Sequence, residues 1–183
     1  MKRASTVFKR GLQSTTKQSS YELRPRVKIV EVSPRDGLQN ESTVLDAATK
    51  AGLIANLAKA GLSFIEAGSF VSPKIKQMAD TREVLLNEEL RPVLNDERIT
   101  LSTLIPNMRG LQDYSDTIRE LRKNGVDTSR MEIAIFASAT EAFSKANLNA
   151  TRVEALNRLA QVAEIAIKHG IKVRGYVSCV VKV

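Results

Sequence analysis

The strongest constraint on the fold of this chain is a rhythm. From Val27 onward, short apolar, β-branched runs alternate with longer stretches of helical periodicity. Residues 27–32, 63–67, 99–104, 131–136 and 171–178 predict strands, and residues 43–60, 75–87, 108–124 and 151–169 predict helices. The strand starts lie 36, 36, 32 and 40 residues apart, and a strand-helix-strand unit with short loops needs about 30 or more. The runs barely alternate in polarity, as strands do in a parallel sheet that is covered on both faces. An open doubly wound sheet and an eight-fold βα barrel both use this rhythm. No Gly-x-Gly-x-x-Gly follows any of the runs, which weighs against a dinucleotide fold.

Local signals agree with the rhythm. Leu45, Ala48, Gly52, Ile54 and Leu57 follow a mostly helical spacing, and Val153, Leu156, Leu159, Val162 and Ile165 recur every third residue, widened by Ala160, Ala163 and Ile167. Ser72-Pro73 reads as an N-cap followed by a proline near the first helical position. Gly61, Gly125 and Gly170 each stand where a helix should stop, directly before an apolar strand start.

A barrel needs roughly 250 residues, and the 183 here reach only the fifth predicted strand. The expectation is an α/β barrel truncated after about that strand. Closing a barrel removes its sheet edges. With five strands, the first and last would keep theirs, which predicts poor solubility or rescue by association, a homo-oligomer included.

The first predicted strand runs into Ser33-Pro34-Arg35-Asp36-Gly37-Leu38-Gln39-Asn40-Glu41. Loops at strand ends are where such scaffolds put chemistry. Arg35 offers a fork of donors to an oxyanion, and Asp36 offers a hard oxygen to a divalent cation. The plainer reading is a local ion pair beside the next helix.

Charge excludes one class of function. The chain is +8 overall, yet residues 1–28 hold eight Lys/Arg and one acid, and the other 155 residues hold 20 basic and 19 acidic side chains. The body is nearly neutral and gives no support to a nucleic-acid surface. No apolar run is long enough to cross a membrane as a helix. A single cysteine, Cys179, rules out an internal disulfide and suits a reducing compartment. Residues 1–23 are basic, hydroxyl-rich and nearly free of acids, the pattern of a mitochondrial or plastid transit peptide, with a disordered basic tail as the other reading. The globular part is then 24–183.

Four segments, in register on the rhythm, carry a resemblance. Val27-Lys-Ile-Val-Glu-Val-Ser-Pro-Arg-Asp-Gly-Leu-Gln-Asn-Glu41, Phe64-Ile-Glu-Ala-Gly-Ser-Phe-Val-Ser-Pro-Lys74, Leu104-Ile-Pro-Asn107 and Val173-Arg-Gly-Tyr-Val-Ser-Cys179 resemble the strands and loops of the hydroxymethylglutaryl-CoA lyase family. The resemblance implies a (βα)8 TIM barrel and cleavage of the acyl-CoA substrate 3-hydroxy-3-methylglutaryl-CoA to acetoacetate and acetyl-CoA. That reaction serves leucine breakdown and ketone-body formation, is assisted by Mg²⁺ or Mn²⁺, and usually takes place in the mitochondrial matrix. Carried over residue by residue, Arg35 would stabilise the enolate and touch the substrate, and Asp36 would bind the metal. Glu66 would orient or neutralise Arg35, with a purely structural buried acid as its other reading. Gln39 would touch the substrate or cap the first helix, and Lys74 and Lys76 would meet CoA phosphates or stay solvated. The family's further metal ligands, a His-x-His and a late asparagine, and its glycine-loop cysteine are absent from this sequence. His169, the one histidine, is expected to favour a helix dipole, and Cys179 to be a packed thiol. Two rivals stay open: a non-catalytic fragment working by association with another chain, and a condensing enzyme of the isopropylmalate or homocitrate synthase group.

Overall fold

The computed structural model describes residues 27–181, so the expected leader lies outside the described residues. Four parallel strands, β1 (Phe64–Ser69), β2 (Thr100–Leu104), β3 (Met131–Ser138) and β4 (Lys172–Ser178), stand side by side in sequence order in one sheet. The helices are α1 (Ala47–Lys59), α2 (Thr81–Leu86), α3 (Arg91–Leu94), α4 (Met108–Lys123), α5 (Glu141–Leu148) and α6 (Arg152–Lys168). Consecutive parallel strands joined by crossovers of one hand put every helix on the same side of the sheet. That is the winding of a barrel wall, and it decides between the two architectures, because a doubly wound sheet reverses its strand order partway.

The two faces of the sheet differ in chemistry. Ile65, Leu101, Ile133 and Val173 turn toward the helices and join one apolar core with Ile54, Leu85, Leu111, Ile118 and Val162. The alternate positions Phe64, Glu66, Ser102, Glu132, Arg174 and Tyr176 line the concave face. There the Phe64 ring lies between the Lys28 ammonium, 4.0 Å from its centroid, and the Arg174 guanidinium, 3.9 Å away. Arg174 also donates to Glu132 at 2.8 Å.

Helix ends follow the sequence closely. Gly61, Gly125 and Gly170 have φ of +93°, +76° and +74°, the left-handed conformation that stops a helix at low steric cost. Thr151 and Glu154 close a reciprocal capping box at the start of α6.

Four expectations need correction. Residues 27–32 do not form a strand: Val27 and Ile29 are exposed, and only Glu31 bridges to Ile65. One bridge cannot hold an edge segment that has no neighbour on its other side. The predicted helix 75–87 is a 3₁₀ turn, Lys76–Met78, followed by α2. Ser72 and Pro73 therefore cap nothing; the Ser72 carbonyl closes a turn by accepting from the Ile75 amide at 2.9 Å. The short α5 was not predicted, because only Ser144 of its eight residues is buried and no apolar stripe marks it. Finally, α6 buries Ala155, Leu159, Val162 and Ala166, whereas Val153, Leu156 and Ile167 are 67%, 54% and 64% exposed.

Candidate active site at the strand ends

The site grows from the one bridge that segment 27–32 makes. The Glu31 amide donates to Phe64 O at 2.9 Å, and the Glu66 amide donates to Glu31 O at 2.8 Å. Those two bonds dock the chain against β1 just before Ser33–Gly37, which coil into a single wide π-type turn with Pro34 buried. The Val32 carbonyl accepts from the Arg35 amide at 3.1 Å and the Asp36 amide at 2.7 Å. Hydrogen bonding from Ser33, side chain and then backbone, holds the Glu31 carboxyl below its usual range.

The turn delivers Arg35 to Glu66. The Arg35 Nε donates to Glu66 Oε1, and Arg35 Nη1 donates to Asp36 Oδ1 at 2.6 Å. Glu66 is fully buried, Arg35 nearly so, and Asp36 is 59% exposed. The second carboxylate oxygen of Glu66 accepts from the Tyr176 hydroxyl at 2.8 Å. Burial first, and the hydrogen bond and charge of Glu66 after it, push the Tyr176 phenol from its ordinary 10 up to about 12. Glu66 is thus bound from both sides, which fixes the guanidinium in place.

Two further features shape β1 here. Its register with β2 slips by one residue between Glu66 and Gly68, directly beside the buried acid. A Cβ on Gly68 would stand 2.7 Å from Thr81 Oγ1, a hydroxyl that donates to Ser69 O at 3.0 Å and accepts from the Ser69 amide at 3.1 Å. Behind the site, Gln77 ties down the loop that follows Arg35-Asp36: its amide donates to Thr43 O at 2.6 Å and accepts from the Leu45 N–H at 3.3 Å. Buried Lys50 holds that corner by donating to Gln77 O and Asp80 Oδ1, both at 2.6 Å.

Of the residues singled out in the sequence, Arg35, Asp36 and Glu66 meet. Gln39 is exposed on the turn that follows them, and Lys74 and Lys76 are exposed on the loop after β1. His169 sits past the end of α6, beside the opposite, N-terminal end of β4. Cys179 does not pack as expected: it is exposed, just past β4, with φ +59°. Among the described residues, no three His, Cys, Asp or Glu side chains are grouped to hold a metal ion. The residue that sequence reasoning missed is Tyr176. Its motif was matched without a role, although strand alternation puts it on the same face as Arg174, toward Glu66.

A guanidinium held between a buried carboxylate and an exposed one keeps donors that those two bonds do not use. It can stabilise negative charge developing on a carbonyl oxygen.

Comparison with known proteins identifies the family. A family model described as HMGL-like matches residues 26–182. A lyase of Pseudomonas aeruginosa, described as acting on 3-hydroxy-3-isohexenylglutaryl-CoA and hydroxymethylglutaryl-CoA, is 41% identical over 86% of this chain and 48% of its own length. The mitochondrial hydroxymethylglutaryl-CoA lyase of Arabidopsis thaliana is 45% identical over 85% of this chain and 30% of its own. The crystal structure of the HMG-CoA lyase from Brucella melitensis superposes with a TM-score of 0.70 at 42% identity, covering 86% of this chain and 51% of that one. The chain spans about half the length, or less, of the curated relatives it matches.

Proposed function

The chain belongs to the HMGL-like family of TIM-barrel proteins, and on that premise we propose that it carries one wall of a hydroxymethylglutaryl-CoA lyase site. The observation that supports this most is the chain of contacts from Arg35 through Glu66 to Tyr176. A retro-Claisen cleavage takes the proton from the tertiary hydroxyl and breaks the adjoining carbon–carbon bond. The electron pair passes to the thioester, whose oxygen becomes an enolate. Arg35 donates to that oxygen as its charge grows, an interaction of a kind commonly worth about 3–4 kcal/mol. Glu66 keeps the guanidinium aimed, and Tyr176 keeps Glu66 from turning away. Gln39 reaches the substrate from the exposed turn.

A divalent ion, Mg²⁺ or Mn²⁺, supplies hydroxyl activation and geometry in the whole reaction. Asp36 is its one ligand from this portion. The described residues assemble no set of three ligating side chains, so they do not fit the ion by themselves. The relatives reported above are named as lyases, which weighs against the condensing-enzyme alternative. Delivery of the chain to the mitochondrial matrix by residues 1–23 belongs to the same proposal, supported by the mitochondrial names of eukaryotic relatives. A reporter fused to that leader and found in the cytosol would remove it.

The test uses the purified chain with 3-hydroxy-3-methylglutaryl-CoA and Mg²⁺. Calorimetry should show binding of the thioester that falls at least tenfold in Arg35→Met, and no acetoacetate should form above background. Binding that ignores Arg35→Met would overturn the site. Steady, metal-dependent turnover would overturn the one-wall reading.

A further inference from the structure

Lys50 goes against two local preferences. It is the fourth residue of α1, in the first turn, where a cation opposes the helix dipole. It also shares the buried stripe of that helix with Ala51, Ile54 and Ala55, and is only 3% exposed. Such a stripe calls for an apolar side chain, and taking an ammonium out of water is costly unless its protons find acceptors. Departures from local preference concentrate where a chain needs a particular geometry.

The acceptors of Lys50 point to that geometry. Its ammonium donates to the Gln77 carbonyl and to Asp80 Oδ1, both in the segment between β1 and α2. The Gln77 side chain, itself buried, reaches the other way. Its Nε2 donates to Glu41 O at 3.3 Å and to Thr43 O at 2.6 Å, and its Oε1 accepts from the Leu45 amide at 3.3 Å. One side chain thus holds three main-chain groups of residues 41–45, a stretch that forms neither helix nor strand. That stretch continues from the turn that carries Arg35 and Asp36. Glu31 fixes the near end of the turn against β1, and Gln77 fixes the chain beyond its far end.

We propose that Lys50 is a positioning residue for the site, a role that rests on Arg35 being the donor to the thioester oxygen. Its buried ammonium latches the segment after β1 to residues 41–45, and so sets where the Arg35–Asp36 turn stands over Glu66. With the latch open, the turn keeps its anchor at Glu31 and pivots about it. Arg35 Nε then moves relative to a carboxylate that β1 and Tyr176 hold still. A role in packing alone predicts otherwise. Methionine fills the same stripe of α1, and replacing a buried ion pair by uncharged groups is often neutral or stabilising. What methionine cannot supply is two hydrogen bonds in fixed directions.

Two variants of the 183-residue chain test this. Lys50→Met/Asp80→Asn removes both charges together. Gln77→Met cuts the three bonds to residues 41–45 and leaves Lys50 in place, so it keeps the question open to measurement where the first variant folds poorly. In each, native-state hydrogen exchange should speed the Arg35 and Asp36 amides, which donate to the Val32 carbonyl, by roughly tenfold or more and leave the β2 amides unchanged. Calorimetry with 3-hydroxy-3-methylglutaryl-CoA and Mg²⁺ should show affinity reduced roughly fivefold by each variant, and not reduced further when Arg35→Met is already present, as for residues that act through one another. Unchanged exchange at Arg35 and Asp36 overturns the latch, as does equal acceleration of the β2 amides. So does an affinity loss that persists in full beside Arg35→Met, or no loss in a chain whose binding depends on Arg35. Faster turn amides, together with binding that is absent or indifferent to Arg35→Met, support the latch and overturn the lyase-site reading instead.

Discussion

Arg35 occupies its place because Glu66 is held on both oxygens, and Tyr176 is the half of that grip which can be removed most cleanly. Tyr176→Phe takes away one hydroxyl and keeps the ring. It should cost about 1–3 kcal/mol, the usual penalty for leaving a buried acceptor without its donor, read as a lower denaturation midpoint. The same variant tests the pH response. The phenol titrates at its ordinary 10 when unfolded and at about 12 when folded. A group whose folded pKa is raised contributes stability that is whole below the lower value and is lost as pH climbs through the higher one. Wild-type stability should therefore fall between pH 10 and 12 by an increment that Tyr176→Phe lacks. Equal slopes in the two proteins would show that the phenol is not coupled to Glu66.

Between elements, close approach matters more than propensity. A Cβ on Gly110 of α4 would stand 2.5 Å from the backbone oxygen of Phe70. Gly110→Ala should destabilise the chain by about 1–3 kcal/mol through overpacking, despite raising helix propensity. Thr151→Ala, which opens the capping box of α6, should cost about 1 kcal/mol; thermal melts of the two variants compare the effects. If Gly110→Ala raised the melting temperature, the α4–β1 approach would be looser than its geometry indicates. The same contrast explains what could be read from the sequence. The stop of α6 was legible because Gly170 is a local signal. Which apolar face it buries was not, since apolar residues lie on more than one side of the helix and burial depends on neighbours distant in sequence. That Arg35, Asp36 and Glu66 meet was legible because their two segments both resemble motifs of one family. Tyr176 was not, because its hydrogen bond spans 110 residues, and nothing near it in sequence announces the partner.

Across the whole molecule, the sheet is strongest at its centre. β2 is paired on both sides, and Leu101–Leu104 are buried. At one margin the chain before the Arg35 turn holds on through the single bridge at Glu31, and at the other β4 has one neighbour. Local opening needs only as much free energy as the contacts it breaks. Native-state hydrogen exchange should therefore place the β2 amides at the global unfolding limit and the Glu31 amide among the fastest of the bonded ones. Uniform protection from Glu31 to Val177 would instead mean that the sheet opens as one unit, and that the single bridge beside Arg35 is no weaker than the centre it leans on.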